Sequence, residues 1–432
     1  LGGVCLNAGC IPSKTYLHVA KIIEESRELH DYGVIFEAPQ INVDKLATKK
    51  KSIVKRLNKG LLHLAKQRNI EVINGLAKFD SKNKIVCSCD DGLEEIFFKN
   101  ALIATGSSPV EMRQFPTSEK ILDSTGILKM EKIPERLLVI GGGIIGLEMA
   151  NVYSELGSRV TLVESSECLL NGVDQDLVLP LEKRMRRRCE EIFKETIVSE
   201  LVEKDGSIVA HLSGRDNPAK MTFDRVLVAI GRTPNTDKLN LNKVGVATDK
   251  NGFIVVDNQM RTKVDNIFAV GDVVGSPMLA HKASSQGKIV AEVISGENAF
   301  FEPAAIPSVV YTNPEVAWAG TDEHLARKLD IEYEVGSFPW SANGRALTSG
   351  ADYGLTKLIF NKLDGRILGG GIVGPSAGEL IGEITLAIEM GSTIEDISLS
   401  IHPHPTLAES VQMSSEVAAR SVTDLYLGKE SF

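Results

Sequence analysis

The stretch at residues 137–146 reads Leu137-Leu-Val-Ile140-Gly141-Gly-Gly143-Ile-Ile-Gly146 and gives the clearest indication of the fold. Its apolar run predicts a buried strand of a parallel sheet, because both faces of such a strand are covered. The glycines form a Gly-x-Gly-x-x-Gly pattern ahead of a helix that we expect to end near Leu156. They allow a tight turn, close approach of a pyrophosphate and close helix–strand packing. The stretch therefore predicts an α/β unit with a dinucleotide at a helix N-terminus.

Glu164 ends the next predicted strand, 23 residues after Gly141. A carboxylate there can bind both ribose hydroxyls, and no Arg follows it to receive a 2′-phosphate. The pattern favours NAD over NADP. The alternative is a turn needed only for packing the helix on the strand. The candidate dinucleotide contacts in the turn are Gly141, Gly142, Gly143, Ile144, Ile145 and Gly146.

The segment Leu1-Gly-Gly-Val-Cys5-Leu-Asn-Ala-Gly-Cys10-Ile-Pro-Ser-Lys14 carries a second signal. Two cysteines with four residues between them open a predicted helix, and Pro12 suits its first turn. A helix N-terminus favours thiolate over thiol, so Cys10 is predicted to be reactive. A disulfide that closes so short a loop is reduced more readily than a structural one. The segment indicates thiol–disulfide chemistry.

The segment His402-Pro-His404-Pro-Thr-Leu-Ala-Glu409 is a candidate base. A carboxylate bound to one imidazole nitrogen raises the basicity of the other, which suits removal of a thiol proton. His404 with Glu409 is the favoured pair, and His402 is the competing candidate.

Two further features are weaker evidence for a cofactor site when each is taken by itself. Gly271-Asp272 ends a short predicted strand beside a helix start, where the carboxylate can accept hydrogen bonds from a ribityl chain or a ribose. Lys14 and Glu148 each follow a motif by a few residues, and an ion pair between them would place a cation where flavin and nicotinamide meet.

Composition sets the class of protein. The 432 residues are 43% hydrophobic and 24% charged, which is ordinary for a globular α/β chain. Six cysteines make no disulfide scaffold, so we expect a reducing compartment, the cytoplasm. The longest apolar stretch, Leu137 to Ala150, is too short to span a membrane. We expect no metal site, because no ligand set with suitable spacing occurs.

The net charge of −9 is concentrated after Pro303, where 17 Asp and Glu face 8 Lys and Arg. This imbalance argues against a nucleic-acid partner. It allows a basic protein partner on the C-terminal region, and a merely solvated acidic surface is the alternative.

The pattern along the chain predicts helices over 14–30 and 44–68 and short strands over 71–73, 84–87 and 101–104. Strands alternate with helices after Pro303, which indicates a final α+β domain. We expect four segments: an FAD-binding part at 1–111, an NAD-binding domain at 112–235, a central segment at 236–303 that completes the FAD-binding domain, and an interface domain at 304–432.

Together the motifs resemble the disulfide-dependent flavoprotein reductases, the pyridine nucleotide-disulfide oxidoreductases, and among them dihydrolipoyl dehydrogenases of the bacterial type. The resemblance covers essentially the whole chain. It rests on residues 2–14, Gly141-Gly-Gly-Ile-Ile-Gly-Leu-Glu148, Ala269-Val-Gly-Asp272, Met278-Leu-Ala280-His-Lys282 and His404-Pro-Thr-Leu-Ala-Glu409. It implies an α/β fold with two nested Rossmann-like nucleotide-binding domains, for FAD and NAD, followed by an α+β dimerisation domain.

The resemblance also implies roles. Cys5 would exchange with a dihydrolipoyl group, Cys10 would pass electrons to the flavin, and His404, held by Glu409, would act as base from the other subunit of a homodimer. A lipoyl-bearing acyltransferase would be the partner. The positions that match FAD contacts are Lys14, Ala77, Asp272 and Ala280. Those that match NAD contacts are residues 141–146, Glu164, Val198 and Gly231.

Two alternatives stay open at this point. In the family a strand–Gly-rich turn–helix unit precedes the cysteines and holds part of the FAD, and none precedes Leu1. We therefore expect a chain that lacks one FAD half-site, and a non-catalytic fragment with NAD-binding and dimerisation domains is one alternative. The other is a glutathione-type or mercuric reductase. Glu164 argues against the first of these enzymes, and the absence of cysteines after Cys189 argues against the second.

Overall fold

A computed structural model describes residues 1–214 and 219–428 of the chain. The N-terminal part is helical and then turns to short strands. Its elements are α1 (Gly3–Ala8), α2 (Cys10–Glu28), α3 (Val43–Gln67), β1 (Leu76–Ser81), β2 (Lys84–Cys89), β3 (Gly92–Phe97), β4 (Ala101–Ile103) and β5 (Ser107–Pro109). Strands β1, β2 and β3 form an antiparallel sheet in that order.

The middle part is built on a parallel sheet. Its elements are β6 (Ile121–Leu122), α4 (Ser124–Ile127), β7 (Arg136–Ile140), α5 (Ile144–Glu155), β8 (Arg159–Val163), α6 (Gln175–Arg188), β9 (Glu191–Phe193), β10 (Ile197–Lys204), β11 (Ser207–Ser213), β12 (Lys220–Phe223), β13 (Arg225–Val228) and β14 (Arg232–Pro234). The parallel order is β6-β13-β7-β8-β9, and β10-β11-β12 form a separate antiparallel sheet. Strand β7 is central, which explains its continuous apolar run.

A short segment then returns to the N-terminal part. It contains α7 (Leu241–Val244), β15 (Ile267–Ala269) and α8 (Ala280–Ile294). Strand β15 pairs in parallel with β4, and β14 pairs antiparallel with β5. Residues far apart in sequence therefore build one region.

The C-terminal part is the predicted α+β domain. Its elements are β16 (Ser308–Val310), β17 (Glu315–Gly320), α9 (Glu323–Lys328), β18 (Tyr333–Pro339), α10 (Gly344–Thr348), β19 (Leu355–Asn361), β20 (Ile367–Gly374), α11 (Ala377–Met390), α12 (Ile394–Ser398) and α13 (Glu409–Ala418). The antiparallel sheet has the order β16-β17-β20-β19-β18. No helix in residues 1–214 and 219–428 has the length and apolarity to cross a membrane.

One hydrophobic core joins these parts. Tyr16 of α2, Tyr153 of α5 and Leu177 of α6 belong to the same buried cluster as Val316 and Val373 of the C-terminal sheet. The helix that begins at Cys10 is therefore held against both the parallel-sheet unit and the C-terminal domain.

The predicted helices and most predicted strands are present, but the strand predicted at 71–73 is wrong. These residues are irregular, and the strand begins at Leu76 instead. A strand exists only where a neighbour completes its hydrogen-bond ladder. Within the described residues, no strand pairs with 71–73.

Candidate active site

The two N-terminal cysteines lie where one helix ends and the next begins. Cys5 is in α1, and Cys10 is the first residue of α2. The prediction that Cys10 lies at a helix N-terminus is confirmed, whereas Cys5 belongs to a separate short helix. Gly9 joins the two, and a Cβ there would lie 3.1 Å from the carbonyl oxygen of Val4. This close turn brings the two cysteines together as partly buried free thiols.

The pKa values of the two thiols are shifted in opposite directions. The hydrogen bond from Cys5 lowers the pKa of Cys10 to about 7, against the effect of burial and with help from the charge on Lys14. The same bond, together with burial and the charge on Cys10, raises the pKa of Cys5. As the pH rises through about 7, Cys10 becomes the thiolate of the pair while Cys5 stays a thiol.

An ion pair lies one turn further along α2. Lys14 Nζ is 2.8 and 3.0 Å from the two carboxylate oxygens of Glu148, as predicted. The Glu148 side chain is only 4% exposed. The backbone N–H of Tyr311 donates to the same carboxylate at 3.1 Å, and the Tyr311 ring centroid is 4.5 Å from Lys14 Nζ. The pair ties α2 to α5 and to the residue that follows β16.

His404 and Glu409 form the predicted imidazole–carboxylate pair. His404 Nδ1 is 2.9 Å from Glu409 Oε1, and the N–H of Thr406 donates to Oε2 at 2.7 Å. The carboxylate begins α13 and is mostly buried, whereas the His404 side chain is 79% exposed. The bond to the carboxylate places a hydrogen on Nδ1, so the lone pair of Nε2 faces outward. This geometry suits a base that acts on a group outside its own loop.

His402, the competing base, has both ring nitrogens engaged. Nε2 is 2.7 Å from Glu383 Oε1, and Nδ1 is 2.8 Å from the carbonyl oxygen of Ser400. Burial lowers the pKa of His402, but the bonds to Glu383 and Ser400 outweigh it and raise the value. The side chain is 8% exposed. A buried ring with both nitrogens occupied has no free lone pair for a substrate.

The Gly-rich turn and Glu164 meet at the carboxyl end of the parallel sheet. Glu164 accepts hydrogen bonds from the N–H groups of Gly142 at 2.6 Å and Ser166 at 2.7 Å. Burial raises the pKa of Glu164, but these bonds outweigh it and lower the value. A Cβ at Gly146 would lie 1.9 Å from the carbonyl oxygen of Gly141, so only glycine fits. The turn borders a cleft of about 230 Å³.

The remaining positions that match NAD contacts are spread around the parallel sheet. Ile144 and Ile145 open α5 and are partly buried. Val198 is in β10, with its side chain buried in the core beneath the sheet. Gly231 follows β13 with φ +138°, a conformation that favours glycine. Their roles toward NAD stay predictions.

The positions that match FAD contacts lie in the region built from β4, β5 and β15. Asp272 follows β15, and its Oδ2 accepts a 2.5 Å hydrogen bond from Ser107 Oγ. The N–H of Gly271 donates to the buried Gln286 side chain, which fixes this turn. Ala280 is the exposed first residue of α8. The Asp272 carboxylate is partly exposed and fits the polyol of a flavin, whereas Ser107 is buried and its hydroxyl holds that carboxylate in place.

Ala77 stands apart from these groups. It is exposed on β1 and pairs with Cys87 of β2. Among the hydrogen bonds of the described residues, none joins this hairpin to the Lys14–Glu148 pair. The predicted contact of Ala77 with FAD stays a prediction.

The structure therefore brings together three groups: the cysteines with Lys14 and Glu148, His404 with Glu409, and the Gly-rich turn with Glu164. In the described residues no hydrogen bond or ion pair joins His404 to the cysteines of the same chain. Sequence reasoning missed Tyr311 and Ser107, which support Glu148 and Asp272. Both lie at the end of a short strand, and no sequence motif surrounds either of them.

Comparison with known proteins places these motifs in one family. Residues 1–287 match the family described as pyridine nucleotide-disulphide oxidoreductase, and residues 306–415 match its dimerisation domain. The dimerisation domain supports the predicted homodimer. A dihydrolipoyl dehydrogenase of Vibrio cholerae serotype O1 is 48% identical over 98% of this chain and 90% of its own length. The dihydrolipoyl dehydrogenase of Geobacillus stearothermophilus is 40% identical over 97% of this chain and 89% of its own.

Solved structures show the same architecture. LpdA from Mycobacterium tuberculosis superimposes with a TM-score of 0.88 at 25% identity, covering 96% of this chain and 91% of its own. The HOCl-induced flavoprotein disulfide reductase RclA from Escherichia coli gives a TM-score of 0.84 at 27% identity, covering 95% of this chain and 90% of its own. The predicted fold class is confirmed. With its Gly-rich turn, its unequal cysteine pair and its dimerisation domain, the chain belongs to the pyridine nucleotide-disulphide oxidoreductase family.

Proposed function

We propose that the protein is a dihydrolipoyl dehydrogenase, which oxidises dihydrolipoyl groups and reduces NAD to NADH. The observation that carries the proposal is the unequal cysteine pair beside Lys14 and Glu148, in a chain whose relatives at up to 48% identity bear that name. FAD and NAD, the cofactors predicted from the sequence, are those of the family.

The first half of the reaction uses an oxidised Cys5–Cys10 pair. His404 Nε2 takes the proton from one substrate thiol, and the thiolate attacks Cys5 Sγ. A substrate–Cys5 disulfide forms as the Cys5–Cys10 bond breaks, and Cys10 leaves as thiolate. A thiol with a pKa of about 7 is a good leaving group near neutral pH, and Cys10 has this pKa.

The second half closes the substrate disulfide. The remaining substrate thiol gives up its proton and attacks the substrate sulfur bound to Cys5. Cys5 leaves and receives a proton, which is the protonation that its raised pKa favours. Two electrons have then passed from the substrate dithiol to the protein pair, leaving a Cys5 thiol and a Cys10 thiolate.

The chemistry that bound FAD supplies is transfer of this electron pair from the cysteines to NAD as a hydride. Asp272 would hold the polyol of FAD, and the buried Ser107, whose hydroxyl donates to Asp272 Oδ2, would orient the carboxylate. Lys14 would hold a positive charge beside the flavin, and the buried carboxylate of Glu148 keeps its ammonium group in place.

The base acts between subunits in this proposal. His404 is exposed, and the chain has large exposed apolar side chains close to it, including Leu399 and Ile401. Apolar surface of this kind is typical of a subunit contact. We infer that His404 serves the cysteine pair of a second copy.

We also infer a lipoyl-bearing acyltransferase as partner, docked on the acidic C-terminal domain, and a reducing compartment, the cytoplasm. The charge imbalance of that domain supports the first inference, and six free cysteines support the second. Replacing exposed carboxylates such as Glu379 and Glu395 by Gln should weaken assembly with the acyltransferase. Unchanged assembly would show that the docking site is elsewhere.

The test is turnover with dihydrolipoamide and NAD, followed as NADH absorbance, together with the flavin absorbance of the purified protein. We expect a yellow protein that is active with NAD and that loses activity in Cys5→Ser and Cys10→Ser. Cys168→Ser is the matched control, because Cys168 lies outside the motif. A colourless, inactive protein would favour the non-catalytic alternative, and turnover of glutathione disulfide with NADPH would favour a glutathione-type reductase.

A further inference from the structure

Three residues on neighbouring strands of the C-terminal sheet are paired with one another across the strands. Gly371 of β20 is paired with Lys357 of β19 on one side and with Trp318 of β17 on the other. Directly paired residues on neighbouring strands face the same side of a sheet. Lys357, Gly371 and Trp318 therefore form one row on one face, and we call it the cross-strand row.

The side chain of Leu177, from the parallel-sheet unit, packs directly on Gly371. A Cβ at Gly371 would lie 2.2 Å from Leu177 Cδ1 and 3.1 Å from the carbonyl oxygen of Ala317. Leu177 is in the first turn of α6 and is buried. The start of α6 is thus seated between Lys357 and Trp318, in a space that exists only because residue 371 has no side chain.

Lys357 forms ion pairs with residues at the start of the same helix, α6. Its Nζ is 2.9 Å from Asp174 and 2.9 Å from Asp176, and it also contacts Glu323. The Lys357 side chain is 1% exposed. Burial lowers the pKa of Lys357, but the bonds that its ammonium group donates to the three carboxylates outweigh this effect and raise the value. The ammonium therefore stays charged and keeps Asp174, the N-cap of α6, fixed.

The segment that ends at Asp174 is the outer wall of the cleft at the Gly-rich turn. The N–H of Leu170 donates to the carbonyl oxygen of Gly142 at 3.0 Å. Residues 170–173 line the cleft together with Gly142, Gly143 and Glu164. Trp318 also lines it, as a contribution from the C-terminal domain.

We propose that the cross-strand row is part of the dinucleotide site: Trp318 contacts the bound nucleotide, and Lys357 and Gly371 position the 170–174 wall through α6. This inference rests on the proposed function, because it takes the nucleotide in the cleft to be NAD. It makes the C-terminal domain, and not the Gly-rich unit alone, a determinant of affinity for NAD.

The test measures NADH binding to the purified holoprotein, fully reduced beforehand so that it cannot oxidise NADH, through the fluorescence of NADH, in Gly371→Ala and Trp318→Ala. Gly370→Ala is the matched control. A Cβ there is equally crowded, at 2.6 Å from the carbonyl oxygen of Lys357 and 2.9 Å from Leu358 Cδ2, but it points to the opposite face. Thermal unfolding of each variant reports on the fold, and Trp318→Ala covers the case in which Gly371→Ala does not fold.

We expect Gly371→Ala and Trp318→Ala to raise the Kd for NADH about tenfold, which corresponds to about 1.4 kcal/mol. The KM for NAD should rise in parallel, while the KM for dihydrolipoamide and the Kd in Gly370→Ala stay unchanged. Folded variants with an unchanged Kd would overturn the inference and leave the proposed function intact. An equal loss in Gly370→Ala would also overturn it, by making the effect one of general packing. A wild-type holoprotein that does not bind NADH would overturn the proposed function as well.

Discussion

Glu409 and His404 are joined by a 2.9 Å hydrogen bond between Oε1 and Nδ1, while the other carboxylate oxygen accepts the N–H of Thr406. The carboxylate is thereby fixed at two points, and the imidazole is fixed by the carboxylate. The exposed Nε2 is consequently oriented although it has no hydrogen bond of its own to any of the described residues.

Replacing Glu409 by Gln should lower kcat about 100-fold, within the range that a positioned general base contributes. The amide removes the negative charge that stabilises the protonated ring. The measurement is steady-state turnover of dihydrolipoamide. Glu416→Gln is the control, because Glu416 lies on the same helix and its carboxylate contacts Gln412. Equal activities in the two variants would rule out the role of Glu409.

Replacing Lys14 by Met should destabilise the protein by about 3–5 kcal/mol, because it leaves the buried Glu148 carboxylate without its cation. The double variant Lys14→Met/Glu148→Gln should recover part of this loss, since no charge then stays buried. Urea unfolding of the single and double variants measures both values. Additive losses would show that the two side chains do not interact.

Reduced protein should show a cysteine ionisation near pH 7, because the pKa of Cys10 is lowered to about 7. A lowered pKa means that the thiolate predominates above that pH and is lost as the pH falls through it. Thiolate absorbance in the ultraviolet follows this titration.

The variant Cys5→Ala removes the hydrogen-bond donor, so its transition should move up toward the ordinary thiol value of about 8.5. Cys189→Ala is the control, since Cys189 is buried away from the motif and its own pKa is raised to about 12. A transition that stays in place in Cys5→Ala would contradict the proposed hydrogen bond.

Ile401→Asp should break the homodimer and abolish turnover while each chain stays folded. Ile401 is 96% exposed beside the His402–His404 loop, so a charge there costs little in one chain but is buried in a subunit contact. Sedimentation gives the oligomeric state, and circular dichroism reports on the fold.

Leu363→Asp is the matched control, because Leu363 is 93% exposed in the turn between β19 and β20. It should stay dimeric and active. An active monomer of Ile401→Asp would show that His404 does not act between subunits.

Local patterns were sufficient for much of the site. The Gly-rich turn with Glu164, the helix start at Cys10 and the His404–Glu409 pair each lie within about 25 residues of sequence, where turn geometry and helix spacing dictate the contact. The Lys14–Glu148 pair joins residues 134 apart and could be predicted only through the motifs that each of them follows.

The choice between His404 and His402 as the base shows what local sequence patterns cannot predict. Both stand before proline in the same loop. Only packing against α11 gives His402 a second partner, Glu383, whereas the outer nitrogen of His404 has no hydrogen-bond partner in the part of the chain that the structure describes. The strand predicted at 71–73 was wrong for a related reason, since an apolar run becomes a strand only where another strand pairs with it.

Local sequence patterns were therefore enough to predict three groups: a thiol pair at a helix N-terminus, a Gly-rich turn for a dinucleotide, and a histidine with its carboxylate. Which side chains from distant segments complete each group became visible only in the folded chain. Examples are Tyr311 beneath Lys14, Ser107 beside Asp272, and Trp318 at the wall of the cleft beside the Gly-rich turn. The physical reason is that local motifs are set by backbone geometry over a few residues, whereas these contacts arise from the packing of separate sheets and helices into one core.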